Sequence, residues 1–312
     1  MQLDISDKSL PVYEALASQV RLSIIQHLTT RSMNIKELAE ATNLSSAIMT
    51  MHIKKLEKAN IIKAKMIPGK AGIQKLCILN VDRLEINFPL KQASFSDFHE
   101  MVLSVGHYTD FVVEPTCGLA TIEKIIGEFD EPRYFLFPER VSAKILWFSK
   151  GYIEYKAPNF LLSSQNPKEL EISMEISSEA PFTNEDWPSD ISFYLNNVKL
   201  GTWTSPGDYG DNQGKYTPDW WPRDINQYGL LKNLRISLNG TFMDGERISD
   251  VTINDIHIRD KQWSFRIAVH DDAENVGGVT IFGSGFGNYD QDIKFRLFYT
   301  KEQQPDSSLE KD

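Results

Sequence analysis

Apolar residues recur every four positions at Leu16, Val20, Ile24 and Leu28, and Leu10, Tyr13 and Ala17 widen the stripe. This period predicts one amphipathic helix across LPVYEALASQVRLSIIQHL, with Ser9 as N-cap and Pro11 early in the helix. The next stretch, MNIKELAEATNLSSAIMTMHIKKLEKANII, carries the same period in two shorter pieces. Asn34 is placed to cap a helix from Ile35 to Ala41 that buries Ile35, Leu38 and Ala39. TNLSS makes a tight turn. Ser45 or Ser46 then caps a helix running to about Lys58, with Met49, Ile53 and Leu56 turned inward. Ala47, Thr50, Met51 and Lys54 point away from that stripe, and Ser46 and His52 lie toward its flanks. Two helices joined by a short turn, the second with a small polar outer face, form the helix-turn-helix pattern. The pattern then becomes strand-like from Ile61 to Ile67 and from Ile73 to Leu79, with PGKAG as the hairpin loop. Lys63, Lys65, Lys70 and Lys75 decorate this wing, where lysines suit phosphate contacts.

Beyond Pro89 apolar and polar residues alternate repeatedly. AKILWFSKGYIEYKAP, ELEISMEIS, DISFYLNNVKLGTW, NLRISLNGTF, VTINDIHI, WSFRIAVH, GGVTIFG and DIKFRLFY each read as strand or hairpin. Asn196-Asn197 and LNG at 238–240 are hairpin turns. Short helices are expected at TIEKIIGEF and near FPERVSAK. Many short strands bounded by turn residues predict a sandwich or barrel. The expected fold class is multidomain α+β: an N-terminal winged helix-turn-helix followed by an all-β, jelly-roll-like sandwich. The expected divisions are a winged helix at 1–80, a connector at 81–92, the sandwich at 93–300 and a disordered tail at 301–312.

Charge sharpens this division. Residues 1–80 hold 11 Lys/Arg against 6 Asp/Glu, a net of about +5, within a chain whose total is −10. A basic first module on an acidic body points to a polyanionic partner for the first part alone. Two cysteines, Cys77 and Cys117, give neither a disulfide framework nor a cysteine-rich metal site. The absence of a long apolar run and of a signal-like start predicts a cytoplasmic protein without membrane contact.

The segments ALASQVRLSIIQHL and IKELAEATNLSSAIMTMHIKKLEKANII, followed by the lysine-rich hairpin, resemble the ArsR-type winged-helix regulators over about the first 80 residues. The resemblance implies a homodimer on a double-stranded DNA operator. It places the second helix in the major groove and a dimer seam around Tyr13 to Val20. The candidate DNA-binding residues are Ser46, Ala47, Thr50, Met51, His52, Lys54, Lys55, Lys65 and Lys70. His52 has two readings, an approach to a base or phosphate and an ordinary polar surface residue. Metal-sensing members carry paired cysteines on the helix before the recognition helix. IKELAEATN has neither cysteine nor histidine, so that function does not carry over.

One segment of the body fits neither helix nor strand. SPGDYGDNQGKYTPDWWPRD lies in a loop from about Thr204 to Gln227. Loops this long are usually functional or disordered, and adjacent tryptophans argue against disorder. Trp203, Tyr209, Tyr216, Trp220 and Trp221 offer aromatic faces, and Asp208, Asp211, Asn212 and Asp219 offer hydroxyl acceptors. That composition suits a saccharide-like effector. Two other readings stand beside it. The tryptophans form a satellite core with turn-forming acids around it, or the acids hold calcium without EF-hand spacing. GSGFG at 283–287 is a glycine-rich bulge among strands rather than a dinucleotide motif. No nucleophile elbow, zinc motif or phosphate loop is present, so the chain is expected to be a non-enzymatic regulator without a cofactor. A body that binds a protein or assembles the dimer without any ligand is the rival reading.

Overall fold

The computed structural model describes residues 1–69, 72–81, 84–87 and 97–301. The chain divides into two compact units, Met1–Ala93 and Ser94–Asp312. The first runs β1 (Gln2–Asp4), α1 (Leu10–Leu16), α2 (Gln19–Thr30), β2 (Met33–Asn34), α3 (Ile35–Ala41), α4 (Ser46–Lys58), β3 (Ile62–Gly69), β4 (Gly72–Leu79) and β5 (Glu85–Asn87). A winged helix-turn-helix is thus present, with β2, β4 and β3 as a three-stranded antiparallel sheet.

The single first helix that the periodicity predicts is two helices. Ser18 is extended, with φ −161° and ψ 121°, and breaks the helix between Leu16 and Gln19. Arg21 stabilises the break, donating from Nε to the Ala15 carbonyl and from Nη2 to the Glu14 carbonyl, both at 2.6 Å. Those carbonyls are orphaned where α1 ends. Ser9 makes no side-chain cap. Its hydroxyl donates instead to Asp4 Oδ1 at 2.9 Å. Asn34 and Glu37 form a reciprocal capping box on α3, and Ser45 caps α4 through the Ile48 N–H. Ile24, Leu28, Leu38, Met49, Ile53 and Leu56 close the core of this unit. The segment after Leu79, expected as a plain connector, contributes β5, which pairs in parallel with β1.

The second unit is a two-layered antiparallel sandwich. One layer has the order β6 (Asp97–Leu103), β17 (Ile293–Lys301), β9 (Gln165–Ser177), β12 (Leu230–Ser237), β13 (Gly240–Met243) and β14 (Glu246–Ser249). The other has β7 (Asp110–Ala120), β8 (Ile145–Pro158), β15 (Gln262–Val269), β10 (Ser189–Leu195) and β11 (Val198–Ser205). β16 (Val279–Phe282) pairs with both β8 and β9 and joins the layers. Inward-facing rows interlock, with Phe265 edge-on to Phe295 at 5.5 Å. Asn196 and Asn197 take φ of 49° and 66°, the left-handed pair of a two-residue hairpin.

Three sequence expectations differ here. TIEKIIGEF forms turns and bends, while the FPERVSAK region holds a 3₁₀ helix at Pro138–Ser142. VTINDIHI is a run of turns that buries Ile253, Ile256 and Ile258. Its alternating pattern served the core without a ladder partner. Strand β17 continues through Lys301, which the expected tail included. Residues 302–312 and Lys70 lie outside the described residues.

Candidate functional site

The first unit offers one continuous outward face. Met49, Ile53 and Leu56 anchor α4 to the core, which turns Ser46, Ala47, Met51, Lys54, Lys55 and Lys58 to solvent. Met51 is 62% exposed. Thr50 is half-buried and donates its hydroxyl back to the Ser46 carbonyl at 2.7 Å. On β3, Lys63 and Lys65 are exposed. Among the described residues Lys54, Lys55, Lys58, Lys63 and Lys65 have no carboxylate partner, whereas Lys75 pairs with Glu57 at 2.6 Å. Unpaired cations at this density repel one another and favour an anionic partner.

His52 is half-buried on the flank of α4, and its Nδ1 lies 3.4 Å from Arg21 Nη1. Burial, followed by the charges of Arg21 and Lys55, lowers its pKa. Sequence reasoning did not single out Arg21. The signal was present: a cation three and seven residues before Ile24 and Leu28 sits on the buried row of the helix.

The long loop of the second unit spans 206–229, between β11 and β12, and most of its aromatic surface is turned inward. Trp221 is only 2% exposed and packs edge-on against Trp147, Trp220 and Phe286 at 5.8, 5.5 and 5.2 Å. Its indole N–H donates to the Asn226 carbonyl at 3.0 Å. With Ala120, Ile145 and Phe282 it forms a small core of its own. Trp221 therefore offers no open face for a ring, contrary to the sequence expectation. Tyr209 is half-buried and stacked on Tyr228 at 5.3 Å. Trp203 lies on β11 under the Lys232 ammonium, 4.5 Å from the ring centroid. Asp208 is fully buried, and its Oδ2 accepts the Ala180 N–H at 3.1 Å while Oδ1 has no partner. Burial pushes its pKa up to about 7. Two of the seven predicted ligand residues stay open as aromatic surface, Tyr216 at 37% and Trp220 at 39% exposure. Asp211 is exposed and accepts the Tyr228 hydroxyl at 2.6 Å.

Glu175 and Glu179 hold this loop in place and were also missed. The buried Glu175 carboxylate accepts the N–H groups of Gly229, Asn288 and Tyr289 at 2.9, 2.7 and 2.8 Å. One side chain thus ties the end of the loop to the glycine-rich stretch, which the Tyr216 N–H also reaches at the Gly287 carbonyl. Glu179 receives Asn226 Nδ2 at 2.9 Å and the Thr280 hydroxyl at 3.0 Å. Burial, with Asp208 nearby, holds its pKa well above the usual carboxylate range. Acids on strands with period 2 look solvated in sequence, yet Glu175 lies near the end of β9 and Glu179 two residues beyond it, both buried.

Two apolar side chains near the loop are exposed. Ile122, whose carbonyl accepts the Trp220 indole N–H at 2.6 Å, is 49% exposed. Phe129, against Trp147 at 5.5 Å, is exposed as well. Recesses of this unit lie elsewhere, among them one of about 700 Å³ lined by Glu154, Lys156, His257 and Lys261 and one of about 410 Å³ lined by Asn166, Lys168, Asn254 and Arg259. Cys117 is buried and its thiol is pushed up to about 12, so it provides no thiolate at neutral pH. Among the described residues no group of three or more His, Cys, Asp or Glu side chains is placed to hold a metal ion, and no helix is long and apolar enough to cross a membrane.

No curated protein matches the sequence. Solved structures give remote likenesses. The chain is similar to HlyU from Vibrio cholerae at 19% identity, over 24% of this chain and 77% of that one, with a TM-score of 0.21. It is similar to the CBM36-1 domain of a xylanase from the hindgut metagenome of Trinervitermes trinervoides at 8% identity, over 64% and 96% of the two chains, with a TM-score of 0.29. A carbohydrate-binding module CBM36 in complex with calcium and xylotriose is similar at 7% identity over 65% and 99%, with a TM-score of 0.27. Residues 16–63 match the family model described as a helix-turn-helix domain, so the first unit carries a helix-turn-helix domain.

Proposed function

We propose that the protein is a DNA-binding transcription regulator whose helix-turn-helix unit docks α4 in the major groove and whose β-sandwich unit receives the signal. The observation that carries this reading is the outward face of α4 and β3, where Lys54, Lys55, Lys58, Lys63 and Lys65 have no carboxylate partner among the described residues. Lysines at the helix flank and wing position the backbone, while Thr50 and Met51 meet base edges. A homodimer would present two such helices about 34 Å apart on a dyad-symmetric site. Selection of bound duplexes from a random pool tests this. Enrichment of an inverted repeat with half-sites about one helical turn apart is expected, and an unenriched pool contradicts it.

A saccharide-like effector is the proposed signal, because Trp220 and Tyr216 keep exposed surface on a loop that also carries the exposed Asp211 and Asp219. Such a ligand would act by preferring one arrangement of the two helix-turn-helix units. Titration of neutral sugars followed by tryptophan emission tests this reading, and Trp220→Ala should abolish the response. A second reading has its own support. The exposed Ile122, Phe129 and Trp220 flank a loop whose other tryptophan is locked inside, which suits a protein-contact surface. Charged substitution of Ile122 and Phe129 that shifts the sedimentation of the full chain, with no sugar response in the parent, would favour this reading.

A further inference from the structure

Arg21 is a cation on the core-facing row of α2, only 7% exposed. A buried guanidinium needs partners for its donors. Two arms are taken by the Glu14 and Ala15 carbonyls at the end of α1. The third, Nη1, meets His52 Nδ1 on α4 at 3.4 Å. Arginine has donors only, so Nδ1 accepts. A histidine whose Nδ1 accepts carries its proton on Nε2. The tautomer of His52 is therefore dictated by a residue 31 positions away in the chain.

The other edge of the ring is open. His52 is only half-buried on the flank of α4, and its Nε2 has no hydrogen-bond partner among the described residues. Exposed Ile48 and Lys55 lie four residues before and three after it, on the same flank of α4. Lys55 carries no carboxylate. A neutral N–H donor beside an unpaired ammonium suits an anionic oxygen. The charged groups facing the ring, Arg21 from α2 and Lys55 from its own helix, both oppose a second proton on it.

We propose that Arg21 is a positioning residue for DNA recognition, holding His52 in the Nε2–H form so that this edge donates to a phosphate oxygen of the bound duplex. The proposal rests on the operator-binding reading and adds a contact that neutralises no charge. That separates it from the lysine contacts, because only contacts that displace counterions change the salt slope. The same guanidinium holds the α1–α2 junction, so movement at that junction would move the donor.

Two measurements on the full chain test it. In the free protein labelled with ¹⁵N-histidine, long-range proton–nitrogen correlation should show an unprotonated Nδ1 and a protonated Nε2 for His52 near neutral pH. A protonated Nδ1, or an imidazolium, overturns the proposal. Duplex titration then compares His52→Asn with His52→Gln. The Gln amide reaches the position of Nε2 and the Asn amide does not. His52→Asn should weaken binding about tenfold with an unchanged salt slope, and His52→Gln should recover most of the loss. Arg21→Met should scramble the tautomer signature of His52. Parent-like affinity of His52→Asn overturns the proposal alone. So does a slope reduced by about one, which marks a charged contact. Failure of the parent chain to bind any duplex overturns the operator reading and this proposal together.

Discussion

The outer face of α4 and the 206–229 loop are both aromatic- or cation-rich segments that attract attention in the sequence, yet their side chains have opposite fates. On α4 the core residues Met49, Ile53 and Leu56 leave Ser46, Ala47, Met51 and the lysines turned to solvent, and those lysines have no carboxylate partner among the described residues. In the loop most distinctive groups are already engaged, and among its aromatic residues only Tyr216 and Trp220 stay exposed. Trp221 fills a small core, Tyr209 stacks on Tyr228, and Glu175 and Glu179 consume the surrounding donors. Open valence in a rigid element marks a surface built for a partner, whereas satisfied valence marks a segment that holds itself together.

The largest effect expected from this difference is on Trp221. Trp221→Ala empties the ring position among Trp147, Phe282 and Phe286 and should destabilise the sandwich by about 3–5 kcal/mol in denaturant titration. The helix-turn-helix unit should keep its helicity, since its core is separate. A loss below about 1 kcal/mol would mean that the loop is not self-held.

The next effect is on pH. Asp208 has an unfolded value near 3.8 and is pushed up to about 7 by burial in the folded chain. The native state therefore holds a proton that the unfolded state has released between those values. Stability falls as pH rises toward 7, and Glu179 shifts in the same direction. Melting temperature should rise on going from about pH 8 to about pH 6, and Asp208→Asn should flatten that dependence. The opposite slope would place the Asp208 carboxylate in an ionised, compensated site.

A smaller loss, about 1 kcal/mol, is expected for Asn34→Ala, which removes the side-chain half of the capping box on α3. Thermal unfolding of the helical signal reads it. Trp220→Ala should cost about 1 kcal/mol or less, far below Trp221→Ala, because Trp220 is 39% exposed where Trp221 is 2% exposed. A Trp220 effect as large as that of Trp221 would erase the distinction between open and locked aromatics.

What the sequence made legible follows the same physics. Helices α3 and α4 were readable because period and caps agreed, with Asn34 and Ser45 each preceding an apolar row. The strands of the sandwich were readable wherever alternation met turn residues, as at Asn196-Asn197. The break between α1 and α2 was not readable, because the apolar repeat runs through Ser18 and the break depends on Arg21 reaching back from the next helix. VTINDIHI misled because alternation reports burial and not pairing. The open face of α4 was legible residue by residue, since a helix wheel fixes outward positions once the inward ones are known. The loop could not be resolved so, because nothing local tells Trp220 from Trp221. Their difference arises from Trp147 on β8 and Phe286 beyond β16.

Duplex DNA binding through the lysines of the α4 face and the wing is the proposed activity. Its most direct measurement is the affinity of the full chain for duplex DNA across a range of salt concentrations, with and without Lys54, Lys65 and Lys70 changed together to Ala. Binding should weaken in the variant, and the logarithmic salt slope should fall by up to about three, close to one per lysine. Equal affinity and equal slope in the parent and the variant would contradict the account.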